Sequence, residues 1–259
     1  MNSAETTNKL HDLRLSGMAE AFNNISKNHS YDDYTFEEKM GKIVDCEWTK
    51  RQNGKLLRLI RSATLRYPDA CMEAIEYRKD RELDHAQLTE FSTCGYIINS
   101  HNIILMGATG CGKTYVANAL GMAACREHLR VKYIRLTDLF NDISVAVGEG
   151  SYIKEIKRYI KPDLLILDDF LLEKVDADQV GYLLDIIESR VKGSIIFCSQ
   201  IKPDGWSLLL GEEEDAMLSE AVLDRIKNNS YVVEIKGDKS MRERHGLNTS
   251  ERETELSTE

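Results

Sequence analysis

The sequence predicts an α/β fold, a parallel five-stranded sheet with helices on both faces, preceded by a small all-α N-terminal domain. Three observations predict it. Short apolar runs recur after residue 100, helical stretches separate them, and before residue 90 the apolar residues keep a helical period. Strands that alternate with helices run parallel, and a sheet covered on both faces reads as continuous apolar runs.

The first part has Leu10, Leu13, Met18, Phe22 and Ile25 at near-helical spacing. Met40, Ile43, Val44, Leu56, Leu57 and Ile60 continue the period in a second stretch. Thr35, followed three residues later by Glu38, reads as a capping box that starts this stretch. Pro68-Asp69 is a start signal for a further short helix. Strands are predicted at residues 102–106, 131–135, 164–168, 195–198 and 231–235, with helices at about 113–128, 137–147, 178–192 and 216–227. These patterns divide the chain into a helical domain at 1–90, an α/β domain at 91–245 and a polar, disordered tail at 246–259.

The chain has 259 residues, 42% hydrophobic and 30% charged, enough for one good core and an appendage. No apolar run approaches the ~20 residues of a membrane span. Met1 to Leu15 is polar, without the apolar core of a signal peptide, so a cytoplasmic chain with no membrane partner is expected. The six cysteines form no C-x-x-C pair, which argues against a zinc knuckle or redox motif and suggests reduced thiols. The formal net charge is -9, yet residues 42–66 hold seven basic residues against two acidic ones. Seven minus two leaves a local +5, and screening over about 10 Å lets such a stripe hold a polyanion on an acidic protein.

Gly107-Ala108-Thr109-Gly110-Cys111-Gly112-Lys113-Thr114 matches G-x-x-x-x-G-K-[ST] between a predicted strand and a predicted helix. The glycines let backbone N–H groups turn toward phosphate oxygens, and the helix that follows adds its positive end. Lys113 is placed to reach the β- and γ-phosphates and the Thr114 hydroxyl to ligate Mg²⁺, so ATP and Mg²⁺ are the expected ligands. Tyr115, next in the chain, counts with the nucleotide-binding set.

Leu164-Leu165-Ile166-Leu167-Asp168-Asp169 is an apolar run ending in two acids. A strand buried on both faces explains the run, and its carboxyl end is where α/β sheets bind ligands. Asp168 is the expected Mg²⁺ partner and Asp169 the group that polarises the attacking water. The strand–helix unit at 131–147 marks the additional-strand P-loop class, which places strand 195–198 between the loop strand and the acidic strand. Ser199 and Gln200 at its tip then face the γ-phosphate and the water. Arg225 is a candidate arginine finger for a neighbouring subunit's ATP. Arg242 is a candidate γ-phosphate sensor in cis.

These residues resemble the IstB-like insertion-sequence helper ATPases, close to DnaC-type helicase loaders in the AAA+ class. The likeness is carried by Leu13-Arg14-Leu15-Ser16-Gly17-Met18-Ala19, the phosphate loop, Arg135-Leu136, Gly150-Ser151-Tyr152 and Pro162-Asp163-Leu164-Leu165-Ile166-Leu167-Asp168-Asp169. Cys198-Ser199-Gln200, Leu223-Asp224-Arg225 and Gly237-Asp238-Lys239-Ser240-Met241-Arg242 complete it. The resemblance implies a bacterial ATPase that assembles on double-stranded DNA with ATP, deforms it, and recruits and stimulates a partner transposase. Asp169 stands where most AAA+ ATPases carry Glu, as is usual in this subfamily, which implies slow turnover suited to switching. Phe170 stands where many relatives carry Trp. The short chain after Arg242 implies an absent or minimal AAA+ lid.

Lys50, Arg51, Lys55, Arg58 and Arg61 lie on one predicted helix and form a candidate row for DNA phosphates, without base reading. Trp48 is expected in the core, the alternative being a wedge between bases. Two other readings stay open. A helicase-loader adaptor would grip a helicase with its N-terminal helices. A small-molecule kinase would need an acceptor site that the sequence does not display.

Overall fold

β1 (Asn102–Met106), β2 (Val131–Arg135), β3 (Leu164–Asp168), β4 (Ser194–Ser199) and β5 (Ser230–Glu234) form one sheet in the order β2-β3-β4-β1-β5. Every pairing is parallel. β4 therefore lies between the loop strand β1 and the acidic strand β3, as the additional-strand class requires. The computed structural model describes residues 3–211, 216–237 and 240–244, leaving the side chains of Ala216 and Arg242 aside. The tail predicted at 246–259 lies outside the described residues.

Eleven helices accompany the strands among the described residues: α1 (Ser3–Asp12), α2 (Ser16–Lys27), α3 (Phe36–Ala63), α4 (His85–Ser92), α5 (Gly95–Ile98), α6 (Lys113–Arg126), α7 (Leu136–Gly148), α8 (Tyr152–Ile160), α9 (Ala177–Ser189), α10 (Ala216–Lys227) and α11 (Met241–Arg244). None is long and apolar enough to cross a membrane. After β5 the described residues include the single turn of α11.

Strand alternation sorts the sheet residues onto two faces. Ile104, Leu165, Leu167, Ile195 and Phe197 join one core with Phe170, Tyr159 and Trp206. Ile166 belongs to the opposite face, where α6 packs so closely that a Cβ on Gly121 would lie 2.9 Å from Ile166 Cδ1. Helices thus cover both faces.

The chain forms two compact units divided between Arg58 and Leu59, not near residue 90. Leu65, Ala70, Ile75 and Leu88 are buried in the second unit, and Asn118 of α6 accepts the Tyr67 N–H at 3.2 Å. The change of pattern near residue 90 marks where helical period gives way to strands. Compactness follows burial instead, and residues 59–90 bury themselves with the sheet unit.

In the first unit Glu47 is 8% exposed and accepts from the N–H groups of Gly17 (2.7 Å) and Met18 (3.2 Å), which caps α2 with negative charge. A Cβ on Gly17 would sit 2.8 Å from the Glu47 Cα, so this approach needs glycine. Thr35 and Glu38 make the predicted capping box, with Thr35 N donating to Glu38 Oε2 at 2.8 Å and Glu38 N to Thr35 Oγ1 at 3.3 Å.

Two expectations need correction, and one helix was missed. Pro68-Asp69 starts no helix, and the segment instead makes short 3-10 turns at Met72–Ala74 and Lys79–Arg81. α8 was not anticipated, although Tyr152, Ile153, Ile156, Tyr159 and Ile160 stand at helical spacing on one face. Trp48 is 64% exposed rather than in the core. It follows Phe36, Met40 and Val44 at four-residue intervals, and all three are exposed too.

Candidate nucleotide-binding site

The carboxyl ends of β1, β3 and β4 meet in register, with Met106 opposite Ser199 and Leu167 opposite Phe197. From this edge the chain turns at Gly107 into the phosphate loop. Gly107 has φ +152, and a Cβ there would lie 2.2 Å from the Ile235 carbonyl oxygen. Gly112 has φ +98, the left-handed region that favours glycine, and it leads directly into α6. Met241 N donates to the Gly110 carbonyl at 2.9 Å, and Arg81 Nη2 to the Cys111 carbonyl at 2.9 Å. Two segments remote in sequence thus brace the loop.

Lys113 is 8% exposed and its ammonium donates to the carbonyls of Gly107 (2.7 Å) and Ala108 (2.9 Å). Thr114 Oγ1 lies 3.1 and 3.0 Å from the two carboxylate oxygens of Asp168. The phosphate loop and the acidic strand are therefore brought together as the sequence predicts. Asp168 is 1% exposed, and Tyr133 on β2 also donates its hydroxyl to it at 2.7 Å. Among the described residues no cluster of three His, Cys, Asp or Glu side chains could hold a metal ion alone. One hydroxyl and one carboxylate fit Mg²⁺, which keeps waters and takes phosphate oxygens to complete its shell.

Asp169 follows with φ 51, a left-handed turn that aspartate tolerates. Burial pushes its carboxyl above the usual aspartate range, and the neighbouring Asp168 adds to the shift. Arg66, Arg135 and Lys113 pull the other way. Asp169 is thus a half-buried carboxylate among cations, suited to accept a proton from water.

Gln200 replaces Ser199 at the β4 tip. Ser199 is fully buried, and its hydroxyl oxygen accepts from Trp206 Nε1 and Ile201 N, both at 3.2 Å. Gln200 is exposed, and its Oε1 accepts the Thr109 hydroxyl of the phosphate loop at 2.7 Å. Successive residues at a strand end point to opposite sides, so only one of the pair can face the loop. Tyr115 turns its ring to Tyr67, with centroids 6.1 Å apart.

Arg225 lies at the other edge of the sheet. With Asn102 and Ile195, at the amino ends of β1 and β4, it lines a cavity of about 350 Å³, and it pairs with Glu188 Oε1 at 2.6 Å. It is far from its own phosphate loop. Arg242 falls in α11, but its side chain lies outside the described residues.

Tyr133, Arg66 and Arg81 escaped sequence reasoning. Arg66 hydrogen-bonds Tyr133, and that bond together with the nearby Asp168 strengthens its positive charge. The available signal for Tyr133 was its place two residues before the tip of the strand beside the acidic one. Arg66 read only as one member of the basic stripe.

Lys50, Arg51, Lys55, Arg58 and Arg61 are all exposed on α3. Lys50 pairs with Glu20 at 2.6 Å and Arg51 with Glu47 at 2.7 Å. Among the described residues, only Lys55, Arg58 and Arg61 of this row have no acidic partner.

A family model described as IstB-like ATP binding protein matches residues 8–249. A protein of insertion sequence IS1162 from Pseudomonas fluorescens, named for ATP binding, is 35% identical over 78% of this chain and 87% of its own. The insertion-sequence protein y4uH of Sinorhizobium fredii, likewise named for ATP binding, is 35% identical over 92% of this chain and 94% of its own. The crystal structure of the DnaC helicase loader aligns with TM-score 0.54 and 21% identity, covering 66% of this chain and 99% of that one. This last likeness is one of fold.

Proposed function

The chain belongs to the IstB-like ATP-binding protein family, and from that premise we propose that it is a slow AAA+ ATPase that regulates transposition by oligomerising on and bending duplex DNA. In this reading it recruits and stimulates a partner transposase, and hydrolysis resets the assembly. The observation that carries the reading is the convergence of Lys113, Thr114 and Asp168 at one sheet edge, with Arg225 at the other.

Lys113 binds phosphate oxygens of ATP, leaving the loop carbonyls that otherwise hold it. Thr114 and Asp168 would hold magnesium, with Tyr133 fixing the carboxylate. Bound magnesium supplies neutralisation of charge across the β- and γ-phosphates. Asp169 orients the attacking water and takes its proton, while the Gln200 amide faces the same space. Arg225 cannot reach its own ATP, so it completes the site of a neighbouring copy. That makes assembly a condition of turnover. Lys55, Arg58 and Arg61 contact phosphates without reading bases. Bending costs on the order of 1–6 kcal/mol for a short site, which several such contacts offset.

Filter binding of plain duplex DNA with and without ATP tests the proposal. ATP-dependent, sequence-indifferent binding is expected. A helicase-loader adaptor, favoured by the DnaC-like fold, predicts preference for single strands or retention only through a helicase. Arg225→Ala is expected to leave ATP binding intact and to lower turnover about 100-fold or more. Unchanged turnover removes the finger role.

Asp169→Asn is expected to stop turnover while ATP still binds. In the wild type the acid limb of the rate profile sits above the ordinary aspartate value of about 3.9, because the carboxyl must lose its proton to act. The same raised pKa has a sign for stability. The folded chain binds this proton more tightly than the unfolded one, so stability falls as pH rises through that interval. Asp169→Asn therefore raises Tm at neutral pH. A lowered Tm there contradicts the buried-charge account.

A further inference from the structure

A cavity of about 860 Å³ lies beside the edge strand β2 and is lined by six cations: Arg130, Lys132, Lys154, Lys157, Arg158 and Lys161. No described Asp or Glu lines it. On a chain of net charge -9, this concentration of one sign needs a reason.

The six divide by partner. Arg130 forms a two-pronged pair with Asp163, with Nη2 to Oδ1 at 2.7 Å and Nε to Oδ2 at 3.1 Å. Arg158 pairs with Glu155 of its own helix. Lys132 donates only to a hydroxyl, Thr64 Oγ1, at 3.1 Å. Lys154, Lys157 and Lys161 are exposed and have no acidic partner among the described residues. They stand on α8 and its C-cap at spacings of three and four, one face of a helix. Burial, then the nearby Arg158, weakens the charge on Lys132, so its ammonium would gain from an added anion.

We propose that this cavity is a second nucleic-acid site, in which Lys154, Lys157 and Lys161 grip successive phosphates of a DNA backbone by charge alone. The proposal rests on the DNA-binding reading above and adds to it a contact on the sheet unit itself. Seven residues of helix span about 10 Å, enough to cover three successive phosphates, whose two steps take about 7 Å of rise. A single phosphate would fill little of 860 Å³, whereas a backbone uses its length. Arg130 precedes β2 and Pro162 precedes β3, so the cavity sits at the amino edge of the sheet, opposite the phosphate loop. DNA there leaves the nucleotide site free.

The test is fluorescence anisotropy of the full chain with a labelled plain duplex and ATP, across a salt series. The variants are K154A/K157A/K161A and its charge-keeping counterpart K154R/K157R/K161R. These side chains are exposed and far from the loop, so unchanged ATP binding by calorimetry certifies the fold. The alanine variant is expected to bind at least tenfold more weakly, with the log–log salt slope reduced by about 2–3 units, and the arginine variant to restore both. Wild-type binding with an unaltered alanine variant overturns the site and leaves the DNA reading standing. No wild-type binding to duplex overturns both. A third outcome comes from inorganic tripolyphosphate. If the alanine variant loses its binding heat but keeps DNA affinity, the cavity takes small polyphosphates and the proposal is wrong.

Discussion

Lys113→Ala is expected to abolish measurable ATP binding in titration calorimetry at millimolar magnesium, and with it ATP-dependent assembly. The expected loss is about 3 kcal/mol or more, a hundredfold or greater in Kd, because a charge-assisted hydrogen bond to phosphate is among the strongest a side chain makes. The structure adds a second cost. Lys113 bridges the carbonyls of Gly107 and Ala108 at 2.7 and 2.9 Å, so alanine also leaves the loop backbone without its internal donor. The brace from Arg81 to the Cys111 carbonyl remains, as does that from Met241 to Gly110. The fold should therefore survive, with Tm near the wild type in the absence of nucleotide. Retained ATP heat in this variant would remove the phosphate loop from the account, and the transposition proposal with it.

The second large effect concerns stability. Arg190 is 7% exposed at the amino ends of β3 and β4. Its Nη1 donates to the carbonyls of Tyr159 (2.8 Å), Ile160 (3.1 Å) and Pro162 (2.9 Å), and its Nη2 to those of Ser194 (2.7 Å) and Asp163 (3.4 Å). One guanidinium thus ties the end of α8 to the start of β4. Burial pushes it down to about 10, so the folded state disfavours its charge relative to water. The unfolded chain binds more protons between about 10 and the higher value of a free guanidinium, and the wild type gains stability as pH rises through that window. At neutral pH two effects compete in Arg190→Met. Removing a buried charge helps, but several carbonyls lose their donor, each at about 1–3 kcal/mol. The second effect wins because five acceptors share one donor group. A net loss on the order of 3 kcal/mol is expected, lowering Tm by roughly 10 °C in scanning calorimetry at pH 7. A Tm within about 2 °C of wild type would mean that water replaces the guanidinium.

Arg190 was invisible to sequence reading, since its type and spacing match those of any helix-end arginine. The phosphate loop and Asp168-Asp169 were legible because their chemistry is local. Glycines that must turn, a lysine and a hydroxyl at fixed offsets, and acids at the end of an apolar run are properties of consecutive residues. The sheet order could be read for a similar reason, since the strand–helix unit between the two motifs dictates which strand lies between them. Choosing Gln200 over Ser199 was a different problem. Both are polar, and only the packing of Trp206 under β4 shows that the Ser199 hydroxyl is already engaged.

By itself the sequence determined the class of sheet, the loop that cradles phosphates and the acids that face it, because periodicity and turn chemistry act over a few residues. Only the tertiary structure decided that Tyr133 holds Asp168, that Arg225 lies at the opposite edge from its own loop, and that residues 59–90 bury with the sheet. It also decided the pairing of the cations: Glu20 and Glu47 fold back on Lys50 and Arg51, while Lys154, Lys157 and Lys161 have no acidic partner among the described residues. Partners far apart in the chain meet through burial and long-range packing, and spacing in the sequence carries no record of that distance.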